Sequence, residues 1–373
     1  MAPLVIDVRS APDSRDVVHR AVQALAEGQV VAVPTETVYG LAASALDEAA
    51  VERLLKIKGR TPGHPLTLAV KSAEDALDYV PSLCPLGHRL ARRCWPGPVT
   101  LVLTDNHRES LTRQLPPGVQ RAVCPAGTIG LRVPAHALLL DVLRLLPGPL
   151  ALSSANRTGE QDAVTASEVI RTLDDQVQLV LDDGRCQFAQ PSSVVQVGPE
   201  GMKILRAGVV SEATLGRLAS LMVLFVCTGN TCRSPMAEWL CRQLLADQLG
   251  CRPESVEEHN LVVMSAGIAA MSGGGPSAEA VQVLAEQGLD LRQHVTQPIT
   301  DRLVRHADLI LTMTQAHRQA IVSHWPEAAA RTQLLNPDQT DIVDPIGGPL
   351  EAYTRCAAQI AAAIQQRRDQ LKS

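Results

Sequence analysis

The stretch that most narrows what this chain can fold into is residues 223–235, which end an apolar run in a Cys and open a helix. Val223-Leu224-Phe225-Val226 reads as a buried strand, and Ser234-Pro235 reads as the N-cap and first position of a helix. Five residues, Thr228, Gly229, Asn230, Thr231 and Cys232, separate Cys227 from Arg233. A loop of that length can curl until its backbone N–H groups converge on one point, where the helix end behind it adds positive potential. Arg233 can then clamp two oxygens of a tetrahedral anion while Cys227 sits beneath it. The same field favours a thiolate over a thiol. The stretch predicts a phosphate cradle with a nucleophile built in. A buried Cys beside an incidental Arg would need every one of these features to coincide without cause.

The 373 residues suffice for two domains, and 46% hydrophobic with 20% charged residues indicates a globular chain with sizeable cores. A net charge of −5 carries no whole-chain signature of nucleic-acid or membrane binding, so any RNA contact would be local. The first ten residues mix charges and lack a long apolar region, and no apolar run reaches membrane-spanning length. Nine cysteines, without framework or zinc-site spacing, fit a reducing cytoplasm.

The first half alternates apolar segments with helical patterns. Residues 28–33 read as a turn into a buried strand and 65–70, 99–103, 130–134, 150–152, 179–181, 193–197 and 203–205 as further strand segments, with a polar loop at 34–41. Residues 47–57, 136–146 and 165–173 read as helices, which predicts an α+β or α/β domain with a mixed sheet. Lys56, Lys58, Arg60, Arg132 and Arg206 supply cations at element ends, and Ser154, Asn156 and Ser192 supply short polar side chains in loops. Such a set could hold a triphosphate and an amino-acid carboxylate. Any one of these cations alone reads more simply as a solvated charge. No Gly-x-x-x-x-Gly-Lys-Ser/Thr loop occurs, so a Walker-type ATP site is excluded.

Pro34-Thr35-Glu36-Thr37-Val38-Tyr39-Gly40-Leu41, Lys58-Gly59-Arg60, Trp95-Pro96-Gly97-Pro98, Ser154-Ala155-Asn156 and Leu205-Arg206-Ala207-Gly208 together resemble the threonylcarbamoyl-AMP synthases, over roughly residues 12–210. The resemblance implies an open, twisted mixed α/β sheet with a large cleft. It implies that L-threonine, bicarbonate and ATP, with Mg²⁺, give threonylcarbamoyl-adenylate and pyrophosphate. Partner proteins would then carry the product to a tRNA adenosine beside the anticodon, and double-stranded RNA binding is implied with it. On the same resemblance Lys56, Lys58, Arg60, Ser154 and Asn156 serve the nucleotide phosphates, and Thr128 and Arg206 are further nucleotide contacts. Thr35, Arg132 and Ser192 match threonine contacts. Positioning and charge neutralisation would supply most of the acceleration, and no general base is needed from this half.

Residues 209–221 read as a short connector, which predicts domains over 1–208 and 222–373. Beyond the cysteine loop, a helix to about Leu249 is stopped by Gly250. Strand patterns at 261–265, 308–313 and 333–335 alternate with helical ones at 277–287, 315–323 and 350–371. That alternation predicts a doubly wound, four-stranded parallel sheet with its site at the strand C-terminal ends. A cysteine phosphatase also needs a proton donor, and Asp344, in a loop restricted by the following Pro345 just before the last helix, is the best candidate, with Asp338 and Asp341 as nearby rivals. By residue type alone, all three read as turn residues.

Residues 227–234, Ser265-Ala266-Gly267, Asp308-Leu309-Ile310, His317 and Asp344-Pro345 resemble the low-molecular-weight protein tyrosine phosphatases over nearly all of 222–372. The resemblance implies that Cys227 attacks phosphorus, Arg233 binds its oxygens, and Asp344 protonates the leaving atom. It gives Asn230 a bracing role and has Ser234 hydrogen-bond the thiolate. No cofactor is implied in this half. Thr231 stands where tyrosine-directed members have an aliphatic residue, and no aromatic occurs in 265–275 or 344–348. A phenol would therefore lack stacking partners, and the loop with Asp344-Pro345-Ile346-Gly347-Gly348 is closer to the protein-arginine phosphatase branch. Phosphorylated proteins are then the substrates, with phosphoarginine preferred to phosphotyrosine. Three rivals stand beside this: an RNA- or nucleotide-binding first half without catalysis, a tyrosine phosphatase, and an arsenate reductase. The last needs a further Cys pair, and none occurs between Cys251 and Cys356. Cys232 reads either as a packing residue or as a reversible disulfide partner for Cys227.

Overall fold

A computed structural model describes residues 3–59 and 65–371. The chain divides into two compact units, Met1–Leu215 and Gly216–Ser373. The helix Glu212–Ala219 occupies the predicted connector, and the strand Leu221–Cys227 begins at its last residue.

The first unit is built on one mixed ten-stranded sheet. Its order is Leu4–Asp7, Leu179–Asp182, Val31–Val33, Gly40–Ser44, Leu150–Ser154, Thr67–Ala69, Thr128–Arg132, Val99–Thr104, Ser193–Gly198 and Gly201–Arg206. The helices Ser14–Ala26 and Ala137–Leu145 cover part of one face, burying Val17, Leu25, Leu139 and Val142 against Ala69, Leu150 and Leu152. Side chains two apart on a strand share a face. Thr67 therefore lies on the face of Ala69, and Ser154 on that of Leu152. Where threonine and serine replace aliphatics in that register the helical cover stops, and a cleft opens.

Most predicted elements are present within a residue or two. The helix Glu48–Lys58 starts on Asp47, whose side chain accepts from the Ala50 N–H at 3.1 Å, and ends on Gly59 in the left-handed region at φ 57°. The strand Gly40–Ser44 replaces the end of the predicted loop. Gly40-Leu41-Ala42-Ala43-Ser44 carries no β-branched residue, so its strand character comes from pairing on both sides, with Val31–Val33 and Leu150–Ser154. The helices Ser14–Ala26, Ala73–Tyr79 and Pro85–Cys94 were likewise not evident from the pattern.

The second unit has four parallel strands in the order Leu261–Gly267, Leu221–Cys227, Leu309–Thr312 and Thr332–Leu334. The central strand Leu221–Cys227 is buried throughout, because both faces are covered. Val223 and Phe225 pack in the core that holds the helices Arg233–Leu249 and Leu350–Gln366, while Leu224 and Val226 pack with Val304 and Ile321.

One boundary differs from the sequence reading. The helix opens at Arg233 with Cys232 as its N-cap, so Ser234 and Pro235 lie inside the first turn. Pro is tolerated there because first-turn N–H groups have no intrahelical partner, and the Ser234 hydroxyl is thereby free for the cysteine loop. Phe225→Ala removes a side chain with no exposed surface and is expected to cost about 3–5 kcal/mol, read as a lowered urea midpoint for the second unit.

Candidate active sites

The cysteine loop is held from three sides. Asn230 adopts φ 55°, the left-handed conformation Asn tolerates best after Gly, and this turns its backbone N–H back onto Cys227 Sγ at 3.2 Å. Its Nδ2 donates to Ser234 Oγ and to Ser265 Oγ, both at 2.9 Å. Its Oδ1 accepts from the Gln297 N–H at 2.9 Å, and its carbonyl oxygen lies 2.9 Å from His294 Nε2. Ser265 in turn donates to Glu238 at 2.7 Å. Gly267 lets the neighbouring strand end come this close, because a Cβ there would stand 2.5 Å from the Thr228 carbonyl oxygen and 2.9 Å from the Asn230 nitrogen.

Ser234 Oγ lies 3.0 Å from Cys227 Sγ and 3.2 Å from the Ala266 carbonyl oxygen, so one hydroxyl proton serves either acceptor. Arg233 is 4% exposed; its Nη1 donates to the Ile342 carbonyl at 3.2 Å and its Nη2 to the Asp344 carboxylate. The structure thus brings Cys227, Asn230, Arg233, Ser234 and Asp344 together, and Asp341 instead accepts from the Gln315 N–H at 2.7 Å. Asp338 accepts from Thr340 within its own turn. Cys232 Sγ contacts Ser277 Oγ at 3.3 Å, Tyr353 OH at 3.7 Å and Thr231 Oγ1 at 3.4 Å. Burial, reinforced by the Cys232 contact, pushes the Tyr353 phenol up to about 12.

The cleft of the first unit, about 250 Å³, is lined by Thr35, Lys58, Arg132, Ser154, Asn156, Ser192 and Arg206 together with Thr37, Thr67 and Thr100. The Lys58 ammonium donates to the carbonyl oxygens of Ser154 (2.8 Å) and Asn156 (2.7 Å), to Ser154 Oγ (3.1 Å), and to Asn156 Oδ1. Arg206 donates to the Ser192 carbonyl at 2.9 Å and to Ser192 Oγ at 3.0 Å, and burial lowers its pKa. Arg132 reaches Glu36 Oε1 at 2.7 Å and Thr37 Oγ1 at 3.0 Å. Thr35 Oγ1 donates to the Val38 carbonyl at 2.6 Å.

Two predicted residues stand apart from this lining. Lys56 is exposed, because two positions along a helix from Lys58 it faces away. Thr128 shares a sheet face with Arg132 but begins the strand, about 13 Å away. Arg60 lies outside the described residues. Thr37, Thr67 and Thr100 were missed, although a Thr inside an aliphatic run, as in Leu66-Thr67-Leu68 and Val99-Thr100-Leu101, is a signal that could have found the last two. The braces Glu238, His294 and Gln297 carry no local signal.

The family described as Telomere recombination (Sua5/YciO/YrdC) matches residues 23–208, and that of the low molecular weight phosphotyrosine protein phosphatases matches 222–373. A putative threonylcarbamoyl-AMP synthase of Mycobacterium tuberculosis is 36% identical over 199 residues, 53% of this chain and 87% of the relative. The protein-arginine-phosphatase of Bacillus subtilis is 36% identical over 154 residues, 40% of this chain and 96% of the relative. The chain belongs to both families. The threonylcarbamoyl-AMP synthase of Pyrococcus abyssi is 35% identical, but the chain spans only about half of it, 51%. A solved structure of Pyrococcus abyssi Sua5 shares the fold, with a TM-score of 0.52 at 22% identity over 70% of this chain and 91% of that one.

In this phosphatase-family unit His317 is wedged between two threonines, with Nε2 2.9 Å from Thr228 Oγ1 and Nδ1 2.9 Å from Thr314 Oγ1. Burial, with the Arg233 cation adding to it, pushes its pKa down to about 4 from an ordinary 6.5. The unfolded chain therefore takes up this proton more readily than the folded one. Stability from the neutral ring is complete above about pH 6.5 and is lost as pH falls from there toward 4. His317→Asn is expected to flatten part of the decline in the urea midpoint over that interval.

Proposed function

We propose that the chain is a bifunctional enzyme that makes threonylcarbamoyl-adenylate in its first unit and dephosphorylates proteins in its second. The first reading is carried by the convergence of Lys58, Arg132, Arg206 and the Ser154-Ala155-Asn156 turn on one cleft. Lys58 and Asn156, with Arg60, take the triphosphate, and Arg206 takes the nucleotide beside them. Thr35, Arg132 and Ser192 hold threonine. The amine of threonine adds to CO2 with loss of a proton to solvent, or to bicarbonate with loss of water, and the carbamate oxygen then attacks the α-phosphorus as the bond to the leaving pyrophosphate breaks. Among the described residues no cluster of acids, His or Cys could hold a metal, so Mg²⁺ fits as part of the Mg·ATP substrate, carried by phosphate oxygens and water. The product passes to partner proteins that modify tRNA.

The second reading is carried by the Asn230 N–H aimed at Cys227 Sγ beside Ser234 and the Arg233–Asp344 pair. Cys227 sulfur attacks phosphorus as the bond to the leaving atom breaks, and Asp344 gives that atom a proton. Asp344 then takes a proton from the water that cleaves the phospho-cysteine, releasing phosphate and the thiolate. Phosphoarginine as the preferred substrate is supported by Thr231 at the loop, by a mouth without aromatic side chains, and by the named activity of the Bacillus subtilis relative.

Pyrophosphate release should require both threonine and bicarbonate; a binding module would release none. Lys58→Ala should lower that release by roughly a hundredfold or more and leave phosphatase turnover intact, whereas Cys227→Ser should do the reverse. Phosphoarginine peptides should be turned over faster than phosphotyrosine peptides, with Thr231→Ile moving the preference toward tyrosine. Faster tyrosine turnover by the unmodified chain overturns the arginine assignment.

A further inference from the structure

Of the five large apolar side chains that are well exposed in the described part of the second unit, four stand on segments bonded to the cysteine loop or to Arg233 behind it. Met271 is 84% exposed, Val295 60%, Val343 73% and Ile346 66%. Each is tied to the cysteine loop by its own backbone or its neighbours. Val295 lies between His294, 2.9 Å from the Asn230 carbonyl, and Thr296, whose hydroxyl donates to the Met271 carbonyl at 2.6 Å. Val343 and Ile346 flank Asp344, which pairs with Arg233. Two aliphatics therefore stand on the Asn230 side of the loop and two on the Arg233 side. Each keeps most of its surface outside the core, and exposed apolar groups gathered beside a site mark a surface that meets another chain.

We propose that this collar docks the phosphorylated polypeptide itself and selects segments with aliphatic side chains on both sides of the phosphorylated residue. The inference rests on the phosphatase reading. Cys227 is 3% exposed at the pocket floor, so a substrate side chain must reach down to it while its own backbone crosses the mouth. The residues before and after are then laid over the two aliphatic flanks, at about 3.3 Å of chain per residue. Burying them against Met271, Val295, Val343 and Ile346 favours Leu or Val over Ser or Asn, and the absence of aromatic rings leaves no stacking contribution to compete.

The test uses the full chain and three substrates: p-nitrophenyl phosphate, which has no flanks, and two peptides of equal charge with one phosphorylated residue between leucines or between serines. The leucine peptide should show a KM lower by roughly tenfold at similar kcat. Met271→Ser with Ile346→Ser should raise that KM to the serine value while p-nitrophenyl phosphate turnover stays unchanged. Equal KM values for the two peptides, with p-nitrophenyl phosphate still hydrolysed, overturn the collar. A leucine preference that survives in the double variant overturns its assignment to these residues. No hydrolysis of p-nitrophenyl phosphate by the unmodified chain overturns the phosphatase reading beneath it.

Discussion

The second unit depends on one left-handed residue. Asn230 places its N–H on the Cys227 sulfur, and its side chain ties Ser234 at the helix start to Ser265 on the adjacent strand and to the Gln297 backbone. A loop of free N–H groups repels itself electrostatically and would open in water. Here the amide of one side chain, satisfied at both ends inside a buried network, holds it closed. Ser234 and Ser265 are positioned through that network, while Arg233 is held separately by the Ile342 carbonyl and the Asp344 carboxylate.

The first unit arranges its cations differently. Lys58 and Arg206 are oriented by hydrogen bonds to carbonyl, amide and hydroxyl oxygens of Ser154, Asn156 and Ser192. Neutral acceptors such as these fix the direction in which a cation points. Arg132 is held by charge. Its partner is the buried carboxylate of Glu36, and the same guanidinium also holds Thr37, so it stiffens the 34–40 loop over which Thr35 stands.

Much of the second site was legible because the chemistry demands fixed spacing. The five residues between Cys227 and Arg233 put polar atoms where a single turn of backbone brings them together, whereas Lys58, Ser154 and Asn156 were singled out by the family resemblance rather than by spacing. Thr67 and Thr100 carried only the signal of a Thr inside an aliphatic run, and what brings them to one cleft is the pairing of strands distant in sequence; Thr37, in the loop with Thr35, carried no signal of its own. The helix start, though not the Ser234 contact with Cys227, was misplaced for a related reason. Ser followed by Pro fits a helix cap locally, but the cysteine loop draws the helix start back to Arg233 and leaves that hydroxyl for Cys227.

The sequence by itself determined the two families, the strand–loop–helix that makes the cysteine cradle, and the periodicity of the parallel sheet, since these rest on contacts between residues a few positions apart. Tertiary structure alone decided that Gly40–Ser44 is a central strand and that Lys56 faces away from the cleft that Lys58 enters, and it set Asp344, already favoured by the resemblance over Asp341 and Asp338, against Arg233. Those choices turn on which surfaces are covered and which distant backbone supplies a partner, and such facts belong to the packed chain rather than to any short run of it.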